Sequence, residues 1–244
     1  MKMEINIVNM FPEVLNLYGD RGNIICLQKR CVWRGIKVNI FEYNLDSNQE
    51  ILKNADIILL GGASDREQSI VYSHLLNLKE LIKSLIEDGV CLLAICGGYQ
   101  LLGEAYVDSS GRTIKGLHIL DFITKAEGKR LIGNIIIETS LDVFPKTVVG
   151  YENHGGRTYH DYQPFGKVLK GYGNNGKDRF EGLIYKNVIG TYLHGPLLPK
   201  NPHIADLMLK KALERKYALD SSEFQRLNDT LEYMAHNKVK ELYM

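Results

Sequence analysis

Two stretches of this chain are apolar at nearly every position: ADIILLGG at 55–62 and VCLLAIC at 90–96. A strand with one wet face alternates polar and apolar residues, so a strand with no polar face is covered on both sides. Between the two runs lies a long amphipathic pattern, about 70–87, with Leu75, Leu76, Leu78, Leu81, Ile82 and Leu85 at helical spacing. Doubly buried strands joined by a helix indicate a parallel sheet with helices on both faces. EINIVNM at 4–10, a helix from about Gly22 to Arg34 and KVNIFEY at 37–43 continue the alternation. The expected fold is α/β: a three-layer, mostly parallel, doubly wound sheet. In such sheets ligands sit beyond the carboxyl ends of the strands. That directs attention to the segment after Met10, to GGASD at 61–65 and to CGG at 96–98.

After about residue 113 the pattern changes. Strand-like runs recur with turn signals between them: IKGLHILDFITK, LIGNIIIETS, VVGYENHGG, GKVLKGYG and FEGLIYKNVIGTYLHG. They read as an antiparallel extension. Asn201-Pro202 looks like an N-cap followed by proline in the first turn of a helix, and SSEFQRLNDTLEYMAHNKVKELY reads as a last amphipathic helix. The expected organisation is a main domain over 1–200 and a helical segment over 201–244.

Thirty basic residues stand against twenty-nine acidic ones, a net charge of +1. This balance argues against electrostatic capture of nucleic acid or of an anionic membrane. No run approaches the roughly 18 apolar residues of a spanning helix. Glu4 and Asn6 break the N-terminal apolar run, so no secretory signal is read there. A cytoplasmic protein is expected, with no membrane insertion. The four cysteines, Cys26, Cys31, Cys91 and Cys96, fall in two pairs five residues apart, a spacing that makes no natural metal clamp. No metal site is expected, and reducing cytoplasm disfavours disulfides. Each cysteine taken singly reads first as a small buried hydrophobe.

Cys96 departs from that reading. It ends an apolar strand, Gly97 and Gly98 follow, and then a helix pattern begins. Strand, sharp turn and helix form a nucleophile elbow, which lifts one side chain above the sheet. The helix start places backbone N–H groups beside the sulfur, where they favour thiolate and can hold an oxyanion. A thiolate nucleophile needs a base. Among the seven histidines, His194 stands out at the end of the apolar strand NVIGTYLHGP, with His154 in GYENHGGRT second.

ICGGYQLLG resembles the C-x-G-x-Q-x-L-G elbow of class I glutamine amidotransferases. Gly61-Gly62 resembles their oxyanion loop, and YLHGP their catalytic-histidine strand. GYENHGGRT and the Gly-Pro after the histidine are most similar to the cobyric acid synthase-like branch. LYGDRGN at 17–23 and GKRLIGN at 128–134 are most similar to its stand-alone GatD-type glutaminases. The resemblance implies a flavodoxin-like glutaminase domain in which Cys96 attacks L-glutamine and forms a thioester. It implies His194 as the proton relay, Gly62 and Gly97 as oxyanion-hole donors, and Gln100 and Arg130 as substrate-binding residues, Arg130 on the α-carboxylate. It further implies a MurT-like, Mur-ligase-related synthetase as partner, which amidates the D-glutamate α-carboxyl of membrane-anchored lipid II during peptidoglycan synthesis.

One position departs from the pattern. Many class I members carry glutamate two residues after the histidine; here it is Pro196. Glu152 or Asp20 fills the place, or the site works as a dyad, or the partner supplies a carboxylate; the last is the expectation. GYGNNGKD at 171–178 nearly matches a phosphate loop, but Asp178 stands where a hydroxyl is needed and Asn175-Gly176 signals a hairpin turn. No cofactor is therefore expected in this chain, and ATP and Mg²⁺ are expected on the partner. Two other readings share the fold: an amidotransferase of a corrinoid-type pathway, and a non-catalytic binding subunit.

Overall fold

The computed structural model describes residues 3–15, 20–62, 65–218 and 224–244. In chain order the first half forms β1 (Glu4–Met10), α1 (Arg21–Trp33), β2 (Lys37–Tyr43), α2 (Glu50–Lys53), β3 (Ile57–Leu60), α3 (Asp65–Glu87), β4 (Cys91–Ile95) and α4 (Gly97–Leu102). The second half forms β5 (Ala105–Val107), β6 (Thr113–Lys115), β7 (Ile123–Thr139), β8 (Thr147–Tyr159), β9 (Gly166–Lys170), β10 (Phe180–Glu181), β11 (Leu183–Tyr185) and β12 (Val188–Thr191). Two helices follow, α5 (Pro202–Tyr217) and α6 (Thr230–Tyr243).

The first sheet has the order β11-β12-β4-β3-β1-β2. Its pairings are parallel except at the β11 edge. β3 and β4 lie in its middle, and every residue of both is buried. That is why neither run carries a polar face. On α3, Val71, Leu75, Leu78, Ile82, Leu85 and Ile86 face the core, whereas Leu76 is on the solvent side. α5 buries Ile204, Ala205, Met208, Leu209, Ala212 and Leu213. Each buried Val, Leu, Ile or Met side chain here contributes about 1.5–3 kcal/mol relative to exposure.

The antiparallel character expected of the second half holds for a separate sheet, β10-β9-β7-β5-β6, with β8 paired to β7. The β5–β7 pairing is its parallel exception. A single bridge, Tyr151 opposite His194, joins β8 to the end of β12.

Two boundaries differ from expectation. The last helix begins at Thr230, and residues 224–229 are irregular. Asn228 Oδ1 accepts from the Thr230 N–H and hydroxyl, and the Asp229 carboxylate is drawn to Arg30, so this stretch is held by side chains instead of helical bonds. The turn between β9 and β10 takes the whole of 171–179, longer than a two-residue hairpin, with a strand and not a helix after it. Asn175 Oδ1 there accepts from the N–H groups of Lys177 and Asp178.

α1 is fastened firmly, and this matters for the site. Arg30, 1% exposed, forms a two-pronged pair with Asp206 of α5 and a second with Asp229, at 2.6–2.9 Å. Cys91 is sealed in β4, its thiol 3.4 Å from the Met208 carbonyl and pushed up by burial to about 12. Cys91→Ser is expected to lower stability by about 1–3 kcal/mol, because a hydroxyl is harder to desolvate than a thiol. Chemical denaturation checks this.

Candidate active site

β4 delivers Cys96 to the carboxyl end of the central sheet. The residue has φ 49° and ψ −105°, a conformation that a non-glycine side chain adopts at a cost. Its neighbours impose that bend. The Cys96 N–H donates to Thr191 O at 2.9 Å, which extends the β4–β12 pairing, and Gln100 N–H donates to Cys96 O at 2.9 Å, which starts α4. Gly98 rests directly on the turn after β3, its N–H donating to Gly61 O at 3.1 Å. A Cβ on Gly98 would overlap the Leu60 carbonyl, so no larger residue fits.

β12 delivers His194 to the same crest. Its backbone exchanges two hydrogen bonds with Tyr151, at 2.8 and 3.2 Å. The ring is buried, and the Cys96 sulfur is among the groups that act on its charge. Burial disfavours its charged form, yet the sulfur of Cys96 and the carboxylate of Asp20 outweigh that and raise it to about 9. The strand-end positions named from sequence thus converge, although Cys96 and His194 are 98 positions apart in the chain.

Of the two carboxylates weighed for the ring, Asp20 faces it. Asp20 Oδ1 lies 3.8 Å from His194 Nδ1, and both side chains are 1% exposed. Its other oxygen, Oδ2, accepts the Gly62 N–H at 2.7 Å. Glu152 is engaged elsewhere: it accepts from the N–H groups of Tyr172 and Gly173 at 2.7 and 2.9 Å. His154 is a packing residue, stacked on Tyr192 with centroids 3.7 Å apart and Nδ1 bonded to Gly156 O at 2.8 Å. Burial lowers its pKa.

Pro196, where a glutamate was looked for, lies against Gly22 in the first turn of α1. Asn23 Oδ1 accepts the Leu198 N–H at 2.8 Å. The start of α1 is thereby docked on the loop that follows His194, which carries Asp20 to the ring. Of the LYGDRGN motif, residues 17–19 lie outside the described residues.

Gln100 is buried beneath the elbow, where Gln68 Nε2 donates to its Oε1 at 3.0 Å and its own Nε2 donates to the Tyr192 hydroxyl at 3.2 Å. Tyr192 continues to Thr158 at 2.7 Å, and Thr158 to Thr124 at 2.7 Å. Gln68 and Thr158 gave no signal in the sequence, because single polar residues in helices and strands carry no spacing to read. Arg130 is exposed on β7, at the register shift between Ala126 and Leu131, with Nε and Nη2 donating to Asn153 Oδ1 and O at 2.9 and 2.7 Å.

A strained cysteine beside a buried histidine, at the carboxyl ends of parallel strands, defines a cysteine-nucleophile site. The chain belongs to the CobB/CobQ-like glutamine amidotransferase family, whose domain matches residues 6–202. It is 50% identical, over 87% of its length and 86% of the relative's, to the Staphylococcus aureus lipid II isoglutaminyl synthase (glutamine-hydrolyzing) subunit GatD. To the Streptococcus pneumoniae subunit of the same name it is 39% identical, over 89% of this chain and 84% of that one. A Clostridium botulinum cobyric acid synthase is 30% identical over 70% of this chain and 36% of its own. Among solved structures, one described as a glutamine amidotransferase superposes with a TM-score of 0.56 at 14% identity, covering 84% of this chain and 98% of that one. The Thermotoga maritima PurLQS structure superposes at 0.51 and 20% identity, covering 90% of this chain and 100% of that one.

Proposed function

We propose that this chain is the glutamine-hydrolysing subunit of a two-part synthase that amidates lipid II. The 50% identity to the S. aureus subunit along 87% of the chain carries this reading, and the convergence of Cys96 and His194 supports the chemistry. Cys96 Sγ attacks the side-chain amide carbon of L-glutamine, and the amide oxygen becomes an oxyanion held by the N–H groups of Gly97 and Gly62. Each such donor is typically worth ~3–4 kcal/mol. His194 gives its proton to the leaving nitrogen, ammonia departs, and a glutamyl thioester remains. Water attacks the thioester, His194 accepts its proton, and glutamate leaves with Cys96 regenerated.

The ammonia passes to an ATP-dependent, Mur-ligase-like (MurT-like) partner that binds ATP and Mg²⁺ and activates the α-carboxyl of D-glutamate. The pair works in the cytoplasm on a membrane-anchored acceptor; among the described residues no helix is long and apolar enough to cross a membrane. Gln100, through its position under the elbow, borders the bound glutamine. Arg130 turns from Asn153 toward the substrate α-carboxylate, for which a planar guanidinium is suited. Arg130→Ala is expected to raise KM for glutamine tenfold or more, on the order expected for a lost charge-assisted bond. Unchanged steady-state kinetics remove it from the site.

Affinity purification of the full chain from its native cells tests the assignment. The expected result is a co-purifying synthetase that, with ATP and glutamine, converts lipid II to its amidated form. A co-purifying corrinoid-amidating synthetase, or no glutamine hydrolysis in the purified complex, rejects the reading.

A further inference from the structure

We propose that Asp20 is the positioning acid of His194 and, in the resting site, also a plug: one carboxylate orients the ring and withholds the Gly62 N–H from substrate. The inference rests on the glutaminase reading above. Asp20 is 1% exposed and makes no capping bond to α1, although it stands at the capping position. Its two oxygens turn inward instead. Oδ2 holds the Gly62 N–H at 2.7 Å, while Oδ1 has no hydrogen-bond partner among the described residues and stands 3.8 Å from His194 Nδ1. A separation of 3.8 Å is an ion-pair distance, not a hydrogen bond, and a shift of about 1 Å closes it.

The docking of α1 makes the placement specific. Gly22 against Pro196 and Asn23 against Leu198 hold this helix start over the loop after the histidine. On the other side, the Leu15 carbonyl presses on Gly61, where a Cβ would overlap it. The segment that bears Asp20 is therefore set between the histidine loop and the oxyanion turn.

One N–H cannot serve a carboxylate and an oxyanion together. As the substrate amide oxygen takes the Gly62 N–H, it displaces Asp20 Oδ2. The freed carboxylate then closes on His194 Nδ1, at the stage when the ring carries a proton for the leaving nitrogen. Occupation of the oxyanion hole and completion of the triad become one event, supplied by this chain's own residue.

The test uses the full chain in its native complex with L-glutamine, comparing wild type, Asp20→Asn and Asp20→Ala. Wild-type hydrolysis, with labelling of Cys96 by a glutamine-mimicking diazo-ketone, establishes the underlying reading; its failure overturns that reading and this proposal together. With the reading established, Asp20→Asn keeps an acceptor for Gly62 but loses the charge. Its kcat is expected to fall ~10²-fold or more with KM within about twofold. Asp20→Ala removes the competitor for Gly62 as well, so kcat falls similarly while KM drops below wild type. A merely structural residue does not produce that split. Circular dichroism identifies folded variants, and either one suffices for kcat. A kcat within a few-fold of wild type in a folded variant, or a KM raised in Asp20→Ala, overturns the proposal and leaves the glutaminase reading standing.

Discussion

Cys96→Ala is expected to abolish ammonia release from glutamine, a loss on the order of 10⁵-fold or more, as when a covalent nucleophile is removed from a working triad. Without the sulfur there is no thioester, and a water molecule held in its place is a far weaker nucleophile. Cys96→Ser is expected to fail almost as completely, because a hydroxyl is not ionised by a neighbouring imidazolium in the way a thiol is. The fold is expected to survive both changes. The Cβ stays where the strained backbone at φ 49° already places it, and the hydrogen bonds that impose the bend come from main chain. An ammonia-coupled assay reads the activity and thermal unfolding reads the fold. Substantial hydrolysis by a pure alanine variant would remove Cys96 from the reaction.

His194→Asn is expected to lower kcat/KM by about 10³–10⁴-fold, in the range of a lost general acid–base group. The wild-type pH profile carries the complementary signature. The ring is raised from its ordinary 6.5 to about 9. Burial opposes this, and Cys96 and Asp20 outweigh the burial. It therefore keeps its proton through neutral pH and releases it as pH rises through about 9. A reaction that needs that proton for the departing nitrogen loses activity there, so kcat/KM is expected to decline on an alkaline limb near 9. The linkage to stability has the same sign: the extra stabilisation of the charged ring is fully present below 6.5 and is lost as pH rises through about 9. The Cys96 sulfur and the Asp20 carboxyl are the titratable groups that face the ring in this balance. Initial rates across pH, with folding checked at each point, measure the limb. A decline centred near 6.5 contradicts it.

The departure at Pro196 shows where local reading stops. Its identity announced that the usual orienting carboxylate was missing, and the chain held two acids of comparable promise. Glu152 lies on β8, near His154 in sequence, but its carboxylate is drawn to two main-chain N–H groups at the 171–173 turn. Asp20 lies 174 positions from His194 in the numbering, yet the docking of α1 brings it within 3.8 Å. Sequence separation carries no information about such an approach. Helix boundaries were similarly exposed to tertiary override: Asp229 belongs to Arg30, and α6 starts after it.

Sequence by itself determined the parallel sheet, the elbow and the histidine strand. Each is encoded locally: a strand buried on both faces must be apolar throughout, a sharp turn against neighbouring backbone needs glycine, and a strand end places its last side chain at the crest. Tertiary structure decided which carboxylate meets the imidazole, that the Gly62 N–H is held by Asp20, and that Gln100 is tied into a buried polar chain through Tyr192. Those facts depend on how separate elements dock. Docking is set by the packing of whole surfaces, which no short stretch of residues specifies.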